Sequence, residues 1–100
     1  MASYRLSQRA DEDFESIYVF GLLNFGERQA EAYVDGMEAR FDEIAAHPFM
    51  YPSIDSVRQG YRLSVYGTHS IYYRVDVDEV VIARILRNQN IGAALGASNR

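Results

Sequence analysis

Arginine and tyrosine carry most of the chemistry available to this chain. Between Gly60 and Arg87 lie Arg62, Arg74, Arg84 and Arg87, interleaved with Tyr61, Tyr66, Tyr72 and Tyr73. Guanidinium forks suit carboxylates and phosphates, and they stack on aromatic rings. Such a set can grip an anionic partner or steady the charge of a phosphoryl transition state. Cutting RNA through its 2′-hydroxyl would also need a base and an acid. The two histidines, His47 and His69, fall at the ends of different elements. Without organised carboxylates they read as surface or capping residues rather than metal ligands. Asp11, Glu12, Asp13 and Glu15 read as a solvated helix start that complements the dipole. No cysteine is present, which removes disulfides and thiolate metal sites. Neither a metal nor a cofactor is expected.

The charge is uneven. Residues 1–50 hold ten acids against four arginines, and residues 51–100 hold four against six. Lysine is absent, and the net charge is −4. An acidic chain is a poor candidate for non-specific nucleic-acid binding, which needs many neutralised phosphates. One hundred residues suit a single domain spanning 1–100. No apolar run is long enough to span a bilayer, so no membrane role is expected and the cytoplasm is the expected compartment.

The elements that position these residues follow from pattern and punctuation. Tyr4-Arg5-Leu6 reads as a first strand. Ser7 is a helix N-cap, and Phe14, Ile17, Tyr18, Gly21, Leu22 and Phe25 keep helical spacing up to Gly26. A second helix starts near Glu27 or Arg28. It carries Ala30, Tyr33, Val34, Met37, Phe41, Ile44 and Ala45 inward, and Pro48 ends it. So short a connection makes the pair an antiparallel hairpin. Residues 48–60 read as a loop. Strands follow at Tyr61–Tyr66, His69–Val75 and Val80 to about Arg87. Gly67-Thr68 forms a two-residue type II′ turn, and a second turn spans Asp76 to Glu79. The polar, small-residue end from Asn88 holds a candidate helical turn at Ile91–Leu95, with a flexible tail expected over 92–100.

The fold class is therefore α+β. An N-terminal strand and a helical hairpin pack on a mainly antiparallel sheet completed by a three-stranded meander. Alternation places Tyr61, Leu63, Val65, Ile71, Tyr73 and Val75 toward the helices. It places Arg62, Ser64, Tyr66, Ser70, Tyr72 and Arg74 on the open face. The last strand is almost wholly apolar and suits the sheet interior. Its facing is ambiguous: if Val81, Ala83 and Ile85 point to the helices, Arg84 joins the open face.

This order of elements, with Tyr4-Arg-Leu-Ser7, Ile44-Ala-Ala-His-Pro48, Gly60-Tyr-Arg-Leu63, Ile71-Tyr-Tyr-Arg-Val75 and Val81-Ile-Ala-Arg-Ile-Leu86, resembles the RelE/ParE toxin superfamily, most closely its ParE branch. The resemblance runs from about Tyr4 to about Leu95. It implies the toxin of a bacterial type II toxin–antitoxin system, neutralised in a hetero-oligomer by a ParD-like ribbon-helix-helix antitoxin. It further implies DNA gyrase as target, inhibited by binding rather than catalysis. The alternatives are a ribosome-dependent mRNA endonuclease of the RelE type and a non-toxic antitoxin-binding member.

The nuclease branch places an arginine where this chain has Ser70, another at Asn88, and a tyrosine near Ala94. Residues 91–100 contain neither Tyr nor His. These departures favour a binding protein with no catalytic residues. Arg62, Tyr66, Tyr72, Arg74 and Arg84 are the expected antitoxin contacts. Arg87, Asn88, Gln89, Asn90 and Ile91 are the expected target contacts, with no specific nucleic acid engaged directly.

Overall fold

Ser7 does two jobs at the first junction. In the computed structural model, which describes residues 3–88, it follows strand β1 (Tyr4–Leu6) and caps helix α1 (Gln8–Phe25). Its Oγ accepts from the Ala10 amide at 3.0 Å and donates to the Ala83 carbonyl at 2.8 Å. One hydroxyl thus fixes a helix start to the edge of strand β4 (Val80–Arg87). Gly26, at φ +91°, closes α1 and opens helix α2 (Glu27–Ala46), a one-residue connection. A Cβ on Gly21 would stand 3.0 Å from that of Ala30, so the hairpin helices meet almost backbone to backbone.

Strands β2 (Tyr61–Tyr66) and β3 (His69–Val75) complete a sheet of order β1-β4-β3-β2. β1 runs parallel to β4; the other pairs are antiparallel. β4 is interior, as its apolar composition predicts. Met37, Phe41 and Ile44 of α2 pack onto Ile71, Tyr73, Val80, Ile82 and Ile85, forming the core. None of the helices is long and apolar enough to cross a membrane, among the described residues.

The facing of β2 is the reverse of the alternation reading. Gly67, at φ +56°, and Thr68 make a two-residue turn, so Tyr66 pairs with His69, Ser64 with Ile71 and Arg62 with Tyr73. Directly opposed residues share a face. Ile71 and Tyr73 are buried under the helices, so Arg62, Ser64 and Tyr66 face them too. Tyr61, Leu63 and Val65 lie on the far face with Ser70, Tyr72 and Arg74. The helix side supplies polar partners for this inversion. Arg40 of α2 donates to Ser64 Oγ at 2.9 Å and to the Val65 carbonyl at 2.8 Å.

Strand β4 resolves its ambiguity with a bulge. Tyr72 pairs with Arg84, but Tyr73 pairs with Ile82, leaving Ala83 as the extra residue. Ile85 therefore faces the helices and Arg84 the far face. Beyond the bulge the inward set is Ile82 and Val80, not Ala83 and Val81.

Candidate functional site

The hairpin overhangs one end of the sheet, and a cleft opens beneath it. Ile17, Phe20 and Gly21 of α1, Ala30 and Tyr33 of α2, and Thr68, His69 and Arg87 of the sheet end line a cavity of about 210 Å³. An adjoining hollow of about 310 Å³ shares Ile17, Phe20, His69 and Arg87, and extends to Asp13 and Ile85. The cleft owes its walls to the closeness of the two helices at Gly21 and to the tight turn at Gly67. A Cβ on Gly67 would come within 2.6 Å of the Tyr33 hydroxyl.

Tyr33 organises the polar wall. Its hydroxyl accepts the Thr68 amide proton at 3.1 Å and lies 2.7 Å from His69 Nδ1. The Tyr66 carbonyl, 3.2 Å away, is the alternative acceptor for its single proton. His69 is only 9% exposed. Burial, and secondarily the Arg87 charge, hold its pKa below the ordinary imidazole value. We assign the phenolic proton to the short Nδ1 contact, which leaves the neutral ring's own proton on Nε2. Arg87 pairs with His69 across the strands, and its guanidinium lies 5.6 Å from the Phe20 ring centroid. Among the described residues no carboxylate pairs with Arg87.

Outside the cleft the hairpin exposes apolar side chains. Val19, Phe20, Leu23 and Phe25 are all solvent-facing, Leu23 at 82%. Exposed apolar side chains grouped in this way are uncommon on the free surface of a small domain.

The five expected antitoxin contacts do not share a face. Arg62 turns to the helix side, donating to the Tyr51 carbonyl at 2.7 Å and lying over Phe49. Tyr66 packs on Tyr33, with ring centroids 5.1 Å apart, and donates to the Tyr33 carbonyl. Tyr72, Arg74 and Arg84 share the far face. Arg84 is committed to Asp13 through Nε at 2.8 Å and Nη2 at 3.1 Å, and Asp13 also accepts the Ile85 amide. That hydrogen bond raises the Arg84 pKa. Arg74 reaches Asp76 at 3.4 Å, and the Val77 amide, then Arg74, hold the Asp76 carboxyl below its usual range. The far-face hollow, about 380 Å³, adds Arg9 and Arg58, the latter 4.9 Å from the Tyr61 ring centroid.

Of the expected target contacts, Arg87 lines the cleft. Asn88 is fastened beside it, through its amide to the Thr68 carbonyl at 2.7 Å and its side chain to the Gly67 carbonyl and Ser70. Gln89, Asn90 and Ile91, like the candidate turn at Ile91–Leu95 and the tail over 92–100, lie outside the described residues. Ser70 and Asn88 satisfy each other. Sequence reasoning missed Tyr33, His69, Phe20 and Leu23. His69, read as a surface or capping residue, is buried. Its position opposite Tyr66 across a two-residue turn was the one available signal. His47 is exposed at the end of α2. Among the described residues no group of three or more His, Asp or Glu side chains could hold a metal ion.

Comparison with known proteins agrees with this architecture. Residues 4–91 match the model of the family described as ParE toxin of type II toxin-antitoxin system, parDE. The chain is 35% identical to Toxin ParE1 of Caulobacter vibrioides over 96 residues, 96% of this chain and 100% of that one. It is 31% identical to Toxin ParE1 of Mycobacterium tuberculosis over 87 residues, 86% of this chain and 89% of that one. A solved chain from the chromosomal ParDE TA system of P. aeruginosa superposes with a TM-score of 0.78 at 22% identity, covering 89% of this chain and 98% of that one, which shows a shared fold. The chain thus belongs to the family of ParE toxins of type II toxin–antitoxin systems.

Proposed function

We propose that this toxin acts by binding, inhibits DNA gyrase, and is neutralised by a ParD-like ribbon-helix-helix antitoxin. The observation that carries the reading is the apolar patch of Val19, Phe20, Leu23 and Phe25 beside the cleft. An amphipathic helix of the antitoxin would bury that patch, a helix-in-groove mode. An extended acidic stretch would then follow the far face past Tyr72, Arg74 and Arg84, with Arg9 and Arg58, which have no carboxylate partner among the described residues, as further cations. Arg62 and Tyr66 are held internally and serve the toxin's own fold. Arg87 and Asn88 open the segment proposed for the target, and a helix seated in the cleft covers them. Neutralisation then follows from occlusion.

The ribonuclease alternative draws on the meeting of His69, Tyr33 and Arg87 in one cleft. Against it, His69 Nδ1 is tied to Tyr33, and among the described residues no carboxylate is placed to act as acid or base beside it, Asp13 being engaged by Arg84 and the Ile85 amide. The test is co-expression with the antitoxin encoded beside the toxin. Leu23→Asp should abolish co-purification while leaving the fold intact; unchanged co-purification sinks the docking reading.

A further inference from the structure

The cleft is not purely apolar, and its polar end is specific. His69 is buried, its Nδ1 is occupied by Tyr33, and among the described residues its Nε2 has no hydrogen-bond partner. The Arg87 guanidinium stands at the same end, held by register opposite His69 and by the Phe20 ring. Both groups thus present N–H donors to one space. Asp13 lines the adjoining hollow, but its oxygens are engaged by Arg84 and the Ile85 amide. Ile17, Phe20, Phe25 and Ala30 give the cleft its apolar walls, with His69 buried at its inner end and Arg87 exposed at its mouth.

We infer that this end of the cleft is a carboxylate anchor: an Asp or Glu side chain on the apolar face of the partner's helix is received between His69 Nε2 and the Arg87 guanidinium. The inference rests on the docking reading above and adds the partner's chemistry to it. Residues 89–100 contain no aspartate or glutamate, so they cannot supply that side chain. One buried and one exposed donor converging on a single space favour an ion over its neutral isostere. The anchor also tolerates a protonated His69. The ring can then donate from Nδ1 to the Tyr33 oxygen, while Tyr33 donates to the Tyr66 carbonyl, already 3.2 Å away. The groups facing the ring are Tyr33 from α2, Tyr66 from β2, Thr68 from the turn, Arg87 from β4 and the engaged Asp13 from α1. An incoming carboxylate is the one new negative charge, so binding should tighten as pH falls and the ring gains its proton.

The test uses the full chain with 4-phenylbutyrate and its neutral amide as probes, followed by NMR of the His69 ring and Arg87 Nε. The carboxylate should move both signals and bind about tenfold tighter than the amide. It should also bind more tightly near pH 6 than near pH 8. Arg87→Gln should erase the preference, and Arg87→Lys should keep part of it. Equal binding of acid and amide, or shifts confined to the far-face hollow, would overturn the anchor. The two readings separate with the antitoxin itself. If it is lost with Leu23→Asp yet indifferent to Arg87→Gln and to pH, docking stands and the anchor falls.

Discussion

Tyr33 and His69 are joined by a 2.7 Å hydrogen bond that ties the second hairpin helix to the first residue of β3. The same hydroxyl holds the Thr68 amide, so one oxygen braces the turn and orients the imidazole. Tyr33→Phe removes both bonds inside a half-buried site. A loss of about 1–3 kcal/mol in urea unfolding is expected. No measurable loss would show that the bond contributes nothing to the fold.

Burial of a neutral His69 has a sign for stability. Its folded pKa is depressed, while the unfolded chain has an ordinary imidazole. The unfolded state therefore binds more protons in the window just below that ordinary value. Stability should be full above about pH 6.5 and fall as pH drops toward the folded pKa, then level off. His69→Gln should flatten this segment of the stability–pH curve. A curve that keeps its slope in that variant assigns it to other groups.

Asp13 and Arg84 set up a second test. Asp13 serves three donors, two on the Arg84 guanidinium and the Ile85 amide. Asp13→Ala should cost about 1–3 kcal/mol. Combined with Arg84→Ala, the loss should be less than the sum of the single losses, as expected for one shared network. Strict additivity would deny the network.

Gly36 offers a reversal of sign. Gly→Ala inside a helix ordinarily stabilises by about 1 kcal/mol. Here the Tyr66 hydroxyl occupies the space a Cβ would need. Gly36→Ala should therefore destabilise the toxin, and by less in a Tyr66→Phe background. Ordinary helix stabilisation in the wild-type background would mean that Tyr66 is not held against α2.

Leu23 separates fold from function. It is 82% exposed, so Leu23→Asp should change stability by no more than about 0.5 kcal/mol. Antitoxin affinity should drop by more than about tenfold. Calorimetric titration and thermal unfolding of the same sample read both effects.

The element boundaries were legible because single residues mark them: Ser7, Gly26, Pro48 and the Gly67-Thr68 pair. The faces of the sheet were less so. Alternation in Tyr61–Tyr66 puts the more apolar residues on one side, and hydropathy alone turns that side inward. The two-residue turn already contradicted this, since it sets even positions of β2 against odd positions of β3. What the sequence could not display was Arg40, whose reach from α2 makes a buried Ser64 acceptable. The bulge at Ala83 was hidden in an apolar run. Arg87 and Asn88 could be placed at the end of the last strand by position, but Tyr33 and His69 are 36 residues apart. Only the folded hairpin brings them together.

The central claim is that the toxin holds a partner and does not cut RNA. The most direct measurement adds the purified toxin, in parallel, to a gyrase supercoiling reaction and to a translation extract carrying a defined mRNA. The account predicts blocked supercoiling or trapped cleaved DNA, with the mRNA intact. Cleaved mRNA beside an unaffected gyrase would contradict it.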